Sequence, residues 1–359
     1  MTLELKRYEH NPILSPDKVM PSHPDLEVVG TFNAGATMVG DEVVLLVRVA
    51  ERPVSSDGQH VGIPTVQLSG ASPRIDVQWI ARDDPDLDIS DPRGIVYRGR
   101  RYLSNLSHLR LARSRDGFHF EVDPQPTLVP ATPYEVYGME DPRITLIEGQ
   151  YYVAYTSPSP WGVTVSLIRT ADFRTFERMG VIFAPENKDV VLFPGRAGDR
   201  FVALHRPTSP MFGDPDIWVA YSPDLVHWGD HRRLFGIRPG LWDGGRIGGG
   251  AVPIETPQGW LEIYHGAVGH RYCLGTALLD REQPHRLLGR SREPIMTPLE
   301  PYERAGFFGA VVFSCGAVQR PTGEVLVYYG AADSTLGVAV TTVDELLGSL
   351  EPVGAVTAA

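Results

Sequence analysis

The sequence predicts an all-β fold, a five-bladed β-propeller. Turn residues are abundant and dispersed, one β-rich unit recurs, and helical periodicity is nearly absent. The chain of 359 residues carries 37 Gly and 31 Pro spread along its length, and 42% of it is hydrophobic. That punctuation suits many short strands joined by turns, and the apolar content suffices for a substantial core.

The recurring unit is an apolar strand, a turn, then a second strand ending in a small residue and Asp, followed by an aromatic. Its ends are Ser114-Arg115-Asp116-Gly117-Phe118, Thr170-Ala171-Asp172-Phe173 and Ser222-Pro223-Asp224-Leu225, the last reaching Trp228, with weaker copies at Leu279-Asp280 and Thr342-Val343-Asp344. Successive Asp residues are 56, 52, 56 and 64 positions apart. Each interval holds a run with strand character: Tyr151 to Thr156, Phe201 to His205, Trp260 to Tyr264 and Val325 to Tyr329. A four-stranded blade with its turns takes roughly 40 to 50 residues, so five Asp turns suggest five blades. Two β-sandwiches with similar turns are the alternative, but sandwiches need no unit of constant length. Ring closure would pair a strand around Asn11-Pro12-Ile13-Leu14 with the last blade and cover exposed edges. The whole chain reads as one domain. Residues 51–100 hold an extra strand pair, Thr65 to Leu68 and Val77 to Ile80, and a second Asp-Pro-Arg at Asp91 to Arg93. Without an Asp turn of the repeated type, they read as an insertion in the first blade rather than a sixth unit. A short helical turn is expected near 342–350.

A net charge of −11 argues against a nucleic-acid partner, since no basic stripe is present to neutralise phosphates. It leaves room for a local basic pocket. Cys273 and Cys315 lie in apolar strand-like runs, at no metal-ligand spacing, and read as reduced core thiols. No signal-peptide pattern opens the chain and no run approaches a membrane span, so a cytoplasmic protein without a membrane partner is expected.

In a propeller the inner strands surround a central pocket, so polar residues at unit starts are the site candidates. They are Phe32-Asn33-Ala34-Gly35, Glu140-Asp141-Pro142-Arg143, Asn187-Lys188-Asp189 and Arg246-Ile247-Gly248. The following strands end in His205-Arg206, Tyr264-His265-Gly266 and Tyr329-Gly330-Ala331-Ala332-Asp333. Lys188, Arg206 and Arg246 read as a positive pocket in an acidic protein. Glu140-Asp141 is the acid candidate. Alternation along a strand predicts that only one of the two faces the pocket, and Pro142 holds Asp141 extended. Taken alone the motif is a weak signal, better explained as an Asp-Pro-Arg turn with an internal salt bridge. The histidines His108, His205, His227 and His265 match no zinc spacing. Tyr134, Tyr137, Trp161 and Trp242 are candidates for stacking on a ligand ring or for ordinary packing.

The run Tyr137-Gly138-Met139-Glu140-Asp141-Pro142-Arg143-Ile144 resembles the signature of glycoside hydrolase family 130. So do Asn187 to Pro194, Leu204-His205-Arg206-Pro207, Gly259 to Gly266 and Tyr328 to Asp333. These motifs follow in order over nearly the whole chain. The resemblance implies a five-bladed propeller that cleaves β-mannosides with inversion, mostly by phosphorolysis to α-mannose 1-phosphate. It implies Asp141 as proton donor, acting through the 3-hydroxyl of the mannose. It implies Lys188, Arg206, Arg246 and His265 around phosphate, and Asn33, Arg48, Arg143, His205, Tyr264 and Asp333 around the sugar. No metal or cofactor is implied beyond inorganic phosphate as co-substrate, and members often form homo-oligomers.

Phosphate is already a nucleophile and needs positioning and charge neutralisation rather than a general base. The acid should be kept protonated by burial or a neighbouring carboxylate. An inverting hydrolase would instead need a carboxylate base for water, for which Glu262 is the candidate. A non-catalytic sugar-binding propeller is the reading from another class.

Overall fold

The computed structural model describes residues 3–353 apart from 70–71, 92–93 and 210. The chain is all-β, in agreement with the expected class. Five antiparallel sheets follow one another along it, with two smaller ones. The first sheet contains Leu26–Val39, Glu42–Pro53, Leu106–Ser114 and Glu121–Val122. The second contains Glu140–Ile147, Gln150–Ser159, Gly162–Thr170 and Glu177–Phe183, and the third Asn187–Ala197, Arg200–Pro207, Ile217–Ser222 and Gly229–Phe235. The fourth is built on Arg246–Gly248, Gly259–Val268, Arg271–Leu279 and Leu287–Ser291, with Ile254–Thr256 and Leu350–Pro352 added. The fifth joins Val312–Gln319, Glu324–Ala331 and Thr335–Thr342 to the N-terminal strand Lys6–Arg7. The N-terminal strand that pairs with the fifth sheet thus lies before Asn11–Leu14, which contributes an isolated bridge from Leu14 to Leu336.

Each sheet buries both faces, and the alternation along a strand decides which neighbour each side chain meets. Val43, Leu45 and Val47 pack on Leu326, Tyr328 and Val338 of the fifth sheet. The intervening Val44 and Leu46 pack on Met139, Ile144 and Val153 of the second. Equivalent cores lie between the second and third sheets, the third and fourth and the fourth and fifth.

Four of the repeated Asp residues close the turn after the third strand of their sheets. Asp116 accepts from the amides of Phe118 and His119, Asp172 from Arg174 and Thr175, Asp224 from Val226 and His227, and Asp280 from Glu282 and Gln283. Asp344 occupies the same place but forms no such turn. It lies in the first turn of the helix Val343–Gly348, capped by Thr342, whose hydroxyl accepts from the Glu345 amide, a typical N-cap.

Between the second and third strands of the first sheet lies the extra segment. It forms the hairpin His60–Gln67 and Arg74–Ala81, then a three-stranded sheet of Leu87–Asp88, Gly94–Tyr97 and Arg100–Leu103. Ile63, Ile80, Ile95 and Tyr97 hold the two together. Pro92 and Arg93 of the second Asp-Pro-Arg lie outside the described residues. No helix among the described residues is long and apolar enough to cross a membrane. Both cysteines are free and buried, and burial raises the Cys273 thiol to about 11.

Candidate active site

Three sheets repeat one backbone device in their first strand, at its start in the second and third sheets and mid-strand in the first. Ladder pairing runs through Phe32↔Arg48, Glu140↔Thr156 and Lys188↔Arg206, then slips at a bulge. The residue entering each bulge is left-handed: Asn33 (φ 47°), Asp141 (50°) and Asp189 (55°). Asn and Asp tolerate this conformation better than other side chains, and bulges re-aim side chains next to active sites. Here the strand alternation assumed from sequence breaks. Glu140 and Asp141 both line the same cavity, because the bulge turns Asp141 inward.

That cavity, of about 280 Å³, is lined by residues of all five sheets. Its charged walls are Arg48, Lys188, Arg206 and Arg246 against Glu140, Asp141, Asp189 and Asp333. The expected positive pocket is thus charge-balanced by side chains, since Asp189 sits beneath the cations.

Two clusters divide these charges. In the first, Arg48 donates to Asp141 and Glu140, each at 2.9 Å, and to the Ser107 hydroxyl. Asn33 Nδ2 adds a bond to Asp141 at 2.9 Å. Burial pulls the Asp141 carboxyl up, but the charges of Arg48 and Arg143 and the Asn33 bond outweigh it, leaving it below the usual carboxylate range. These partners favour the ionised form of Asp141, contrary to the protonated acid expected from sequence. Asp333, left-handed at the turn after Ala332, is the carboxyl pushed the other way. Burial, with Asp141 and Glu140 nearby, raises it to about 6 against the pull of Arg48.

In the second cluster, Asp189 lies 2.9 Å from Arg206, 3.4 Å from His265 and 3.5 Å from Arg143. Burial opposes its ionisation, but Arg206 and His265 hold it far below the usual carboxylate range. His265 is buried against Phe313, with ring centroids 4.3 Å apart, and burial lowers its basicity. Arg246 reaches the Tyr272 hydroxyl at 3.1 Å.

Three of the predicted site residues lie outside the cavity lining. Arg143 is buried behind the bulges, donating to the carbonyls of Gly250, Asp141 and Gly249 at 2.8–3.0 Å. Buried away from the cavity lining, it ties the second sheet to the segment after Arg246–Gly248 rather than facing a sugar. His205 is sandwiched between Asn187 and His231, 3.1 Å from each, on the Phe183 ring. The Tyr264 hydroxyl donates to Asp243 and accepts from Arg290 within the third–fourth core. The aromatic candidates also lie outside the lining. Tyr134 and Trp161 pair edge-to-face at 5.4 Å, Trp242 packs on Tyr264, and Tyr137 donates to the Arg101 carbonyl. The aromatics that do line the cavity are Tyr272, Phe307, Phe308 and Phe313, of which sequence reasoning found none. Glu140 and Asp189, which stand in the motifs read as site candidates but have no role assigned there, also line the cavity. Leu103 and Asn105 enter from the extra segment.

Glu262, the candidate water-activating base, does not line the cavity. It is fully buried, accepts from the Gly250 amide at 2.9 Å, and burial raises it to about 8. Among the described residues no group of three or more His, Cys, Asp or Glu side chains is placed to hold a metal ion.

This fold and cavity are those of a carbohydrate-active family: the chain belongs to glycoside hydrolase family 130, whose model, described as β-1,4-mannooligosaccharide phosphorylase, matches residues 86–351. Among its relatives, the β-1,2-mannobiose phosphorylase of Listeria innocua is 45% identical over 97% of this chain and 99% of its own. A structure of that protein with β-1,2-mannobiose superposes with a TM-score of 0.90 over 97% of this chain and 99% of that one. A 1,2-β-oligomannan phosphorylase of Thermoanaerobacter is 39% identical over 67% of this chain and 80% of its own. The β-1,4-mannooligosaccharide phosphorylase of Ruminococcus albus is 34% identical over 65% of this chain and 73% of its own.

Proposed function

We propose that this chain cleaves a β-mannoside, in the first place a β-1,2-linked one, by phosphorolysis with inversion, giving α-D-mannose 1-phosphate and a shortened acceptor. The observation that carries the reading is the pairing of the two clusters in one cavity. The first two sheets supply carboxylates on a guanidinium, and the third and fourth supply Lys188, Arg206, Arg246 and His265. In this reading a phosphate oxygen attacks the anomeric carbon between them and the bond to the leaving oxygen breaks. Asp141 supplies the proton to that oxygen, by way of the mannose 3-hydroxyl. Asn33, Arg48 and Asp333 hold the sugar. A phosphate anion entering the cation cluster adds negative charge to the cavity, which favours protonation of both Asp141 and Asp333.

Phosphorolysis fits better than hydrolysis because neither Asp189 nor Glu262 suits a base role. A base works best with a pKa near the operating pH and within reach of its water. Asp189 is held far too acidic by its cations, and Glu262 is outside the cavity. Five sheets with a core between each consecutive pair, and an N-terminal strand in the last, support a five-bladed propeller in one domain with residues 51–100 inserted in its first blade. Two buried thiols support a cytoplasmic setting; homo-oligomer formation rests on the family alone.

The test is incubation with β-1,2-mannobiose with and without phosphate. Cleavage should require phosphate and yield α-mannose 1-phosphate, and Glu262→Gln, a near-isosteric change that can still accept from the Gly250 amide and touches no transition-state contact, should keep that activity within about threefold. Phosphate-independent release of mannose would sink the reading.

Because Asp141 and Asp333 share one cavity, their titration belongs to the pair. As pH rises through about 6, the pair loses its proton and a further negative charge faces the incoming phosphate. The kcat/KM of the wild type should fall there, and Asp333→Asn should lack that limb. A limb unchanged in position in Asp333→Asn would assign it elsewhere.

A further inference from the structure

The extra segment in the first sheet touches the site at its last residues, and it is latched to the motif that carries the acid. Leu103 ends the strand Arg100–Leu103, and Asn105 lies two residues on; both line the cavity. The Tyr137 hydroxyl donates to the Arg101 carbonyl at 2.7 Å, and its ring meets Tyr102 edge-on at 6.1 Å. Two residues later the Met139 amide donates to the Ser107 carbonyl at 2.8 Å. Between them Gly138 adopts φ 124°, and a Cβ there would fall 2.9 Å from the Ser107 amide nitrogen, so only glycine permits this approach. Ser107 in turn accepts from Arg48, which holds Asp141 and Glu140. The Tyr137-to-Asp141 run thus sets the acid and the end of the extra segment against each other.

Inversion places nucleophile and leaving group on opposite faces of the anomeric carbon. With phosphate among the cations of the third and fourth sheets, the leaving sugar lies on the side of the first and second. Leu103 and Asn105 stand on that side, one apolar and one able to donate and accept, as a sugar's ring face and hydroxyls require. We propose that Leu103 and Asn105 form the wall of the leaving-sugar subsite, so that the extra segment sets acceptor specificity, with Tyr137 as its positioning residue. This rests on the phosphorylase reading above.

The reverse reaction tests it, from α-mannose 1-phosphate with mannose, glucose or N-acetylglucosamine as acceptor, following phosphate release. Leu103→Ala and Asn105→Ala should each raise the acceptor KM about tenfold, the loss of one well-made contact, and change the ratio of kcat/KM between acceptors. The KM for α-mannose 1-phosphate should stay within about twofold, since uniform binding of the donor is untouched. Tyr137→Phe, which keeps the ring on Tyr102 but loses the bond to Arg101, should raise the acceptor KM about threefold with the donor KM unchanged. An unchanged acceptor KM in both alanine variants, or an equal rise in both substrates' KM, would overturn the assignment. Failure of the wild type to use α-mannose 1-phosphate with any acceptor would overturn the phosphorylase reading itself.

Discussion

Replacing Asp141 by Asn should lower kcat by about 10²–10⁴-fold, the range over which a positioned general acid acts, with the protein still folded. The amide has the shape of the carboxyl and can still accept from Asn33 Nδ2 and Arg48, now 2.9 Å from Asp141 Oδ1. Arg48 also keeps its 2.9 Å bond to Glu140, so no buried guanidinium is left without a partner. What the amide cannot do is deliver a proton. The loss should therefore depend on the leaving group. An aryl β-mannoside with an acidic phenol needs little protonation, and its cleavage should suffer much less than that of mannobiose. Equal losses for both substrates would mean that Asp141 only binds sugar. Stability gives a second readout with a definite sign. The folded pKa of Asp141 lies below its ordinary 3.8, so the carboxylate stabilises the fold above that value, and the stabilisation is lost as pH falls through the folded pKa. The Asn variant should show a shallower loss of stability in acid than the wild type, measured by thermal unfolding between about pH 5 and 2.

The regular part of this architecture was legible because it rests on local chemistry. An Asp that accepts from the amides two and three residues on writes its turn into a short string, and Asp116, Asp172, Asp224 and Asp280 all do so. Asp344 shares the string but precedes Glu345, whose amide Thr342 can cap, and the competing helix wins. The site was legible as motifs and not as geometry. Alternation predicts that one of Glu140 and Asp141 faces inward, and the bulge defeats it because register is a property of two strands, not one. Arg143, His205 and Tyr264 sit in the right motifs but behind the cavity wall, where their polar atoms meet Gly249, His231 and Asp243. Nothing near Arg143 in sequence announces a partner 106 residues away. Phe307 and Phe308 carry no motif. The helix Pro301–Arg304 before them and the bond from the Phe308 amide to the Ala332 carbonyl place them beside Asp333.

Arg206→Ala should be the most damaging change on the nucleophile side, and its two effects can be separated. Arg206 and Asp189 are 7% and 3% exposed at 2.9 Å. Removing one partner of a buried pair costs about 3–5 kcal/mol. The low end is expected here, because Arg143 and His265 stay within 3.5 and 3.4 Å of Asp189. Loss of a charge-assisted bond to phosphate costs a further ~1.5–3 kcal/mol of binding, or about 10- to 150-fold in the phosphate KM. The KM for mannobiose should change little, since in the proposed reading the sugar lies against the Arg48 cluster. Arg206→Lys separates the two effects. A lysine restores a positive charge beside Asp189 and so most of the stability, but it lacks the planar fork that suits phosphate oxygens. Its melting temperature should return towards the wild type while its phosphate KM stays raised. A lysine variant that recovers both would reduce Arg206 to a counter-ion for Asp189, and would move the burden of holding phosphate to Lys188 and Arg246.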